Sequence, residues 1–207
     1  MILQTITANI NIMKILIKKN KVPGRNPDEE IVVDFPRGAY DNPAAYDIKA
    51  TSVKFVGIES LNNPGYWERL DYIQYGTGLF IAPQHMFDLS EPFGKLSEYH
   101  TEAFPRSSNS DKNLIMCNSV GTIDTDYRGE IIQRFKYIWQ PEDLFWHVEK
   151  VTQLKKTIGL INEHKIYHVG DKIIQLKARE NIKIDFEWVD ELPETKRGDG
   201  GFGSSGK

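Results

Sequence analysis

The sequence predicts an all-β fold, a closed or two-sheet antiparallel arrangement. Short runs alternate apolar and polar residues, glycine, proline, asparagine and aspartate part them at close intervals, and only one stretch carries helical spacing. At 13–19 the segment MKILIKK alternates as a half-buried strand does, which leaves the first twelve residues as an extension. Strands follow at 45–54, 79–81, 114–120, 129–138, 172–177 and 182–189. The stretch 83–98, with His85, Met86, Phe87, Pro92 and Phe93 in no clear period, reads as a long loop, and loops of that length are uncommon unless functional. The exception to the β pattern is 141–160. There Leu144, Phe145, Val148, Val151, Leu154 and Ile158 recur at helical spacing behind Pro141, Glu142 and Asp143, which suit a helix start. A helical insertion near 141–160, within a longer insert at 140–165, is therefore expected. The last residues are glycine-rich and too poor in apolar side chains to pack alone, so the chain divides into a domain at 1–196 and a flexible arm at 197–207.

With 207 residues, 40% hydrophobic and 27% charged, the chain can bury one sizeable core. A net charge of -3 supplies no broad basic field, so direct nucleic-acid binding is not expected. A lone cysteine, Cys117, makes no intramolecular disulfide and no thiolate metal cluster, which favours a reducing, cytoplasmic setting; after the apolar run 114–116 it reads as a buried, inert thiol. Asn11 and Lys14 interrupt the apolar run at 10–17, far short of the ~20 residues that span a bilayer, so no membrane segment is expected.

Five short blocks carry polar chemistry: AAYDIKA (44–50), PRSS (105–108), NSVGTIDTDYRGE (118–130), GDKIIQL (170–176) and RGDGGFGSSG (197–206). Arg106 offers a planar fork for phosphate oxygens, with Ser107 and Ser108 as neutral donors beside it, although PRSS is also an ordinary surface turn. Asp124 and Asp126 are two residues apart, and either carboxylate could take a proton from water; the residues alone do not choose between them. Gly201, Gly203 and Gly206 match G-x-G-x-x-G, but no helix or acidic residue follows, so a dinucleotide fold is not indicated. His164 and His168 are four apart, yet the residues between them read as strand entering a turn, and no zinc site is expected there. The charged run at 149–156 reads as the solvated face of the expected helix.

Together and in this order, the five blocks resemble the five motifs of the homotrimeric dUTPase family. The resemblance implies a distorted jelly-roll β-barrel, a symmetric trimer with active sites shared between subunits, magnesium, and hydrolysis of dUTP to dUMP and pyrophosphate. It assigns Asp124 as the residue that activates the attacking water. Arg106, Ser107, Ser108 and Gln175 are implied to bind phosphates, and Asp47 to hold magnesium through a water. Asn118 and the backbone at Gly121 are implied to read uracil, and Tyr127 to pack on the deoxyribose and exclude a 2′-hydroxyl. In the arm, Arg197 and Ser204 are implied to grip the terminal phosphate, Phe202 to stack on uracil, and the glycines, Gly203 among them, to let backbone amides approach. Ala45 stands where the family usually has glycine, which weakens the Asp47 match. The dCTP deaminases share an RSS-like block but lack the tyrosine hairpin and the phenylalanine arm. An alternative is a binding protein on the same scaffold that uses its insertions to engage a macromolecular partner.

Overall fold

The computed structural model describes residues 14–18, 21–23, 30–33, 36–38, 40–41, 43–88, 95–148 and 154–200. In chain order the strands are β1 (Ile15–Ile17), β2 (Lys21–Pro23), β3 (Glu30–Val32), β4 (Tyr46–Lys49), β5 (Ser52–Glu59), β6 (Tyr66–Gly76), β7 (Ile81–Pro83) and β8 (Met86–Asp88). Then come β9 (Lys95–Ser97), β10 (Tyr99–Pro105), β11 (Leu114–Met116), β12 (Gly121–Ile123), β13 (Ile132–Tyr137), β14 (Leu144–Val148), β15 (Lys155–Leu160) and β16 (Lys172–Glu180). All pairings are antiparallel, and the described helical turns are short 3-10 turns.

Of the two larger sheets one runs β12-β10-β16-β4, and the other runs β11-β13-β6-β15-β14 with β5 also on β6; β1-β7, β2-β3 and β8-β9 form two-stranded sheets. Both contribute to a single core: Ile48, Ala103, Ile174 and Leu176 from the first meet Ile73, Tyr75, Phe135 and Tyr137 from the second. The expected jelly-roll-like β architecture is present. Tyr75, Phe135 and Tyr167 pack edge to face, with centroids 5.7 to 6.1 Å apart. The Tyr75 hydroxyl donates to the Tyr167 carbonyl and accepts from the Tyr167 amide, at 3.1 and 3.2 Å, so its burial leaves no polar group unpaired. Burying each such ring contributes roughly 1.5–3 kcal/mol.

Several elements differ from the sequence expectation. The run 45–54 is two strands, because the chain changes sheets at Ala50, whose backbone bonds Asp171 and Gly170, while Thr51 already bonds Gly76. Among the described residues of 141–160 there is no α-helix. Gln140 and Asp143 close a capping box over the turn Pro141–Asp143, and the chain then runs out as β14 and returns as β15. Leu-Phe-Trp-His-Val and Lys-Lys-Thr-Ile-Gly-Leu are rich in residues that suit a pleated surface, and β15 docks on β6 through Gly159 with Trp67 and Leu160 with Tyr66. Sheet pairing thus overrides a helical period that residues on both arms of a hairpin supplied by coincidence. Val151 and most of the charged run lie outside the described residues.

The stretch 83–98 is not a plain loop but holds the β8–β9 hairpin, with 89–94 outside the described residues. The strand expected at 129–138 begins only at Ile132, the one at 114–120 ends at Met116 where a tight turn begins, and the one at 79–81 begins at Ile81. Residues 182–189 form no strand and are exposed, and no strand edge among the described residues meets them. Cys117 is exposed, not buried, because it stands one residue past β11 at the mouth of that turn.

Candidate functional site

Most of the polar blocks gather along β10. At its C-terminal end Arg106 follows Pro105 and opens the 3-10 turn Ser107–Asp111. Its guanidinium donates from Nε to Asp47 Oδ1 at 2.8 Å, and from Nη1 to Ser108 Oγ at 3.1 Å and the Lys172 carbonyl at 3.3 Å. Lys172 Nζ donates to the other Asp47 oxygen at 2.9 Å. The sheet produces this meeting: β4 pairs with β16 so that Asp47 lies opposite Gln175, and β16 pairs with β10 so that Gln175 lies opposite Phe104. Gln175 Nε2 is turned onto the Pro105 carbonyl at 3.1 Å. Burial pushes the Asp47 carboxyl up, but the hydrogen bonds and charges of Lys172 and Arg106 outweigh it and hold the group below the ordinary carboxylate value. Ser107 is exposed and Ser108 half-buried, both on the turn that Arg106 opens.

On the edge of β10 opposite β16, β11 turns into β12 through Cys117, Asn118, Ser119 and Val120. Ser119 takes a φ of 54°, and its amide donates to the Met116 carbonyl at 3.3 Å. Gly121 pairs with Ala103 of β10, and a Cβ there would stand 2.9 Å from Asn118 Nδ2 and 3.5 Å from the Ala103 Cβ. A Cβ at this position would displace the end of the Asn118 side chain and not the backbone. Asp124 follows β12 and is exposed, as is Asp126; its carbonyl accepts from the Tyr127 amide at 3.1 Å. The Tyr127 ring folds over Gly129, and its hydroxyl donates to the Glu130 carbonyl at 3.0 Å. Both aspartates line an open cleft with His85 and Glu98 of the β8–β9 region, so that insert forms a wall beside Asp124.

Ile123 pairs with Thr101, which sets Asp124 near His100, six residues before Arg106. At about 3.3 Å per residue the two ends of the strand are about 20 Å apart. Within one chain the described residues therefore separate Asp124, beside the N-terminal end of β10, from the cluster of Asp47, Arg106, Ser107, Ser108 and Gln175 at its C-terminal end; Gly121 pairs with Ala103, three residues before Arg106, with Asn118 in the turn that leads into it, and Tyr127 follows Asp124. Arg197 joins neither; it is exposed and closes a turn onto the Gly200 carbonyl at 2.8 Å. Phe202, Gly203 and Ser204 lie outside the described residues. His164 and His168 are exposed around the 3-10 turn Glu163–Lys165, not on a strand.

Two residues that the sequence reading passed over belong to these clusters. Lys172 completes the clamp on Asp47, and its place three residues before Gln175 on one strand was the available signal. Gln133 lies under the hairpin with Nε2 2.9 Å from Asn118 Oδ1; its signal was a polar side chain at an inward position of an alternating strand.

A cationic clamp at the end of β10, a glycine hairpin along its edge and a carboxylate toward its far end define an antiparallel β protein with a polar site suited to an anionic small molecule. No family model matches the chain. The deoxyuridine 5'-triphosphate nucleotidohydrolase of Corynebacterium glutamicum is 33% identical over 174 residues, which is 83% of this chain and 87% of the relative. That of Clostridium tetani is 33% identical over 175 residues, covering 83% and 88%. The dUTPase of Staphylococcus bacteriophage 80alpha, solved with dUpNHpp, superposes with a TM-score of 0.57 at 18% identity, covering 94% of this chain and 99% of that one. The chain belongs to the deoxyuridine 5'-triphosphate nucleotidohydrolase family.

Proposed function

We propose that the chain hydrolyses dUTP to dUMP and pyrophosphate, a reaction that keeps uracil out of DNA and supplies dUMP, inside the cell and as a homotrimer whose subunits share each site. The observation that carries the shared site is the separation of Asp124 from the Arg106 clamp: a general base and a phosphate clamp about 20 Å apart along one strand serve one α-phosphorus only if neighbouring copies complete each other. The segment after β16 supports the same reading. Ile182, Ile184, Phe186 and Trp188 recur at every second position with Phe186 87% and Trp188 100% exposed, an apolar face with no cover in a single chain.

In this mechanism the Asn118–Gly121 hairpin holds uracil and Tyr127 packs on the sugar. Arg106, with Ser107, Ser108 and Gln175, receives the phosphates; Lys172 lies close enough to take over Asp47 when Arg106 turns to the substrate. Asp124 accepts a proton from water as the water oxygen attacks the α-phosphorus, the bond to the α,β-bridging oxygen breaks opposite, and pyrophosphate leaves. No covalent intermediate forms. The residues present fit magnesium held mainly by substrate: the Asp47 oxygens are already paired with two cations, a donor suited to an outer-shell water and not to direct ligation, and no cluster of three metal-ligating side chains occurs among the described residues. Bound there, the ion would neutralise phosphate charge. The arm at 197–207, with Arg197, Phe202, Gly203 and Ser204, is assigned to closure over the bound nucleotide. The relatives at one third identity are named as enzymes, which favours hydrolysis over a role confined to partner binding.

The test is pyrophosphate release from dUTP, dTTP, dCTP and UTP, with magnesium and with chelator, by the full chain and by a chain ending before Arg197. Selective, magnesium-dependent release from dUTP that collapses on truncation is the expected result; no release from any of the four by a folded oligomer would overturn it.

A further inference from the structure

We infer that Gln133, which touches no substrate in this reading, sets the choice of base by fixing which end of the Asn118 amide faces the pocket. The inference rests on the proposed uracil site. Alternation along β13 turns Gln133, Phe135 and Tyr137 inward, and Gln133 is 3% exposed beside aromatic neighbours. A buried carboxamide is unfavourable unless bonded. Its Nε2 lies 3.2 Å from the Arg134 carbonyl, a group that only accepts, so the nitrogen end of the amide is defined by the backbone. The same Nε2 lies 2.9 Å from Asn118, which must therefore present its oxygen to Gln133. Asn118 Nδ2 is left facing Gly121, 2.9 Å from where a Cβ would stand.

The consequence is a donor, not an acceptor, at the mouth of the hairpin. Uracil carries a carbonyl acceptor at C4, and cytosine carries an amine there. A locked Nδ2 pairs with the first and opposes the second. Gln133 is thus a positioning residue for specificity: without its bond the Asn118 amide rotates, and its oxygen becomes available to the cytosine amine.

The test is the ratio of kcat/KM for dUTP over dCTP, with binding of dUMP and dCMP by calorimetry, in the wild type, Gln133→Met and Gln133→Glu. Met keeps the volume and removes the donor; Glu turns an accepting oxygen toward Asn118 and flips its amide. For Met the ratio is expected to fall at least tenfold, with the loss in KM and not in kcat for dUTP. For Glu it falls further, with dCMP binding gained, and thermal unfolding shows which variants are folded. A wild-type ratio retained by either folded variant overturns the role of Gln133. A wild type that does not prefer dUTP overturns the proposed function instead, so the two failures are distinguishable.

Discussion

Asp47 is the electrostatic centre of the cluster it forms with Arg106 and Lys172, and D47N tests that directly. Its side chain is 16% exposed, that of Arg106 26% and that of Lys172 46%. Exposed pairs contribute about 0.2–1 kcal/mol, while removing one partner of a fully buried pair costs about 3–5 kcal/mol. The Asp47–Arg106 pair lies between these limits, and the half-exposed Lys172 adds only at the surface scale. The substitution should therefore destabilise the protein by about 2 kcal/mol at neutral pH and low salt. The carboxyl is held below its ordinary value in the folded state. Its contribution is accordingly full above the unfolded value, near 3.9, and is lost as pH falls through the folded one. Urea unfolding of wild type and D47N at one protein concentration, from pH 7 to pH 3, should show a gap that is constant at the upper end and closes below about pH 4. Added salt should trim the Lys172 share first. A gap of equal size at pH 7 and pH 3 would show that charge is not what Asp47 contributes.

Three further outcomes follow from the same geometry. D124N should fold and bind dUTP but lose about 10²–10⁴-fold in kcat, and near-normal turnover would remove Asp124 as the base. G121A places a methyl against the end of the Asn118 side chain and not against backbone, so stability should change little while KM for dUTP rises about tenfold, checked by unfolding and steady-state kinetics. Replacing Phe186 and Trp188 together by aspartate should shift sedimentation from oligomer toward monomer and abolish turnover, since each aromatic otherwise buries roughly 1.5–3 kcal/mol of apolar surface; an unchanged oligomer would show that this face is not the contact.

Local pattern was sufficient where a strand's own residues decide its faces. The alternation in 132–137 and the apolar run of 172–176 are visible in the chain, and both are strands of the core. It failed at 141–160, where residues six or more apart suggested one helix and belong instead to two arms of a hairpin. It failed differently at 182–189, where the period of two was real but a strand needs a partner edge. Lys172 was overlooked because its partner, Asp47, is 125 residues away and meets it only through the β4–β16 register.

By itself the sequence determined the β class, the chemical inventory and the order of the five polar blocks, because side-chain period and residue type are local properties of a chain. The tertiary structure decided that Asp47 is clamped by two cations and that Gln133 donates to Asn118. It also decided that Asp124 and Arg106 lie toward opposite ends of β10. Those are consequences of strand register, which brings together side chains distant in sequence and which no window along the chain contains.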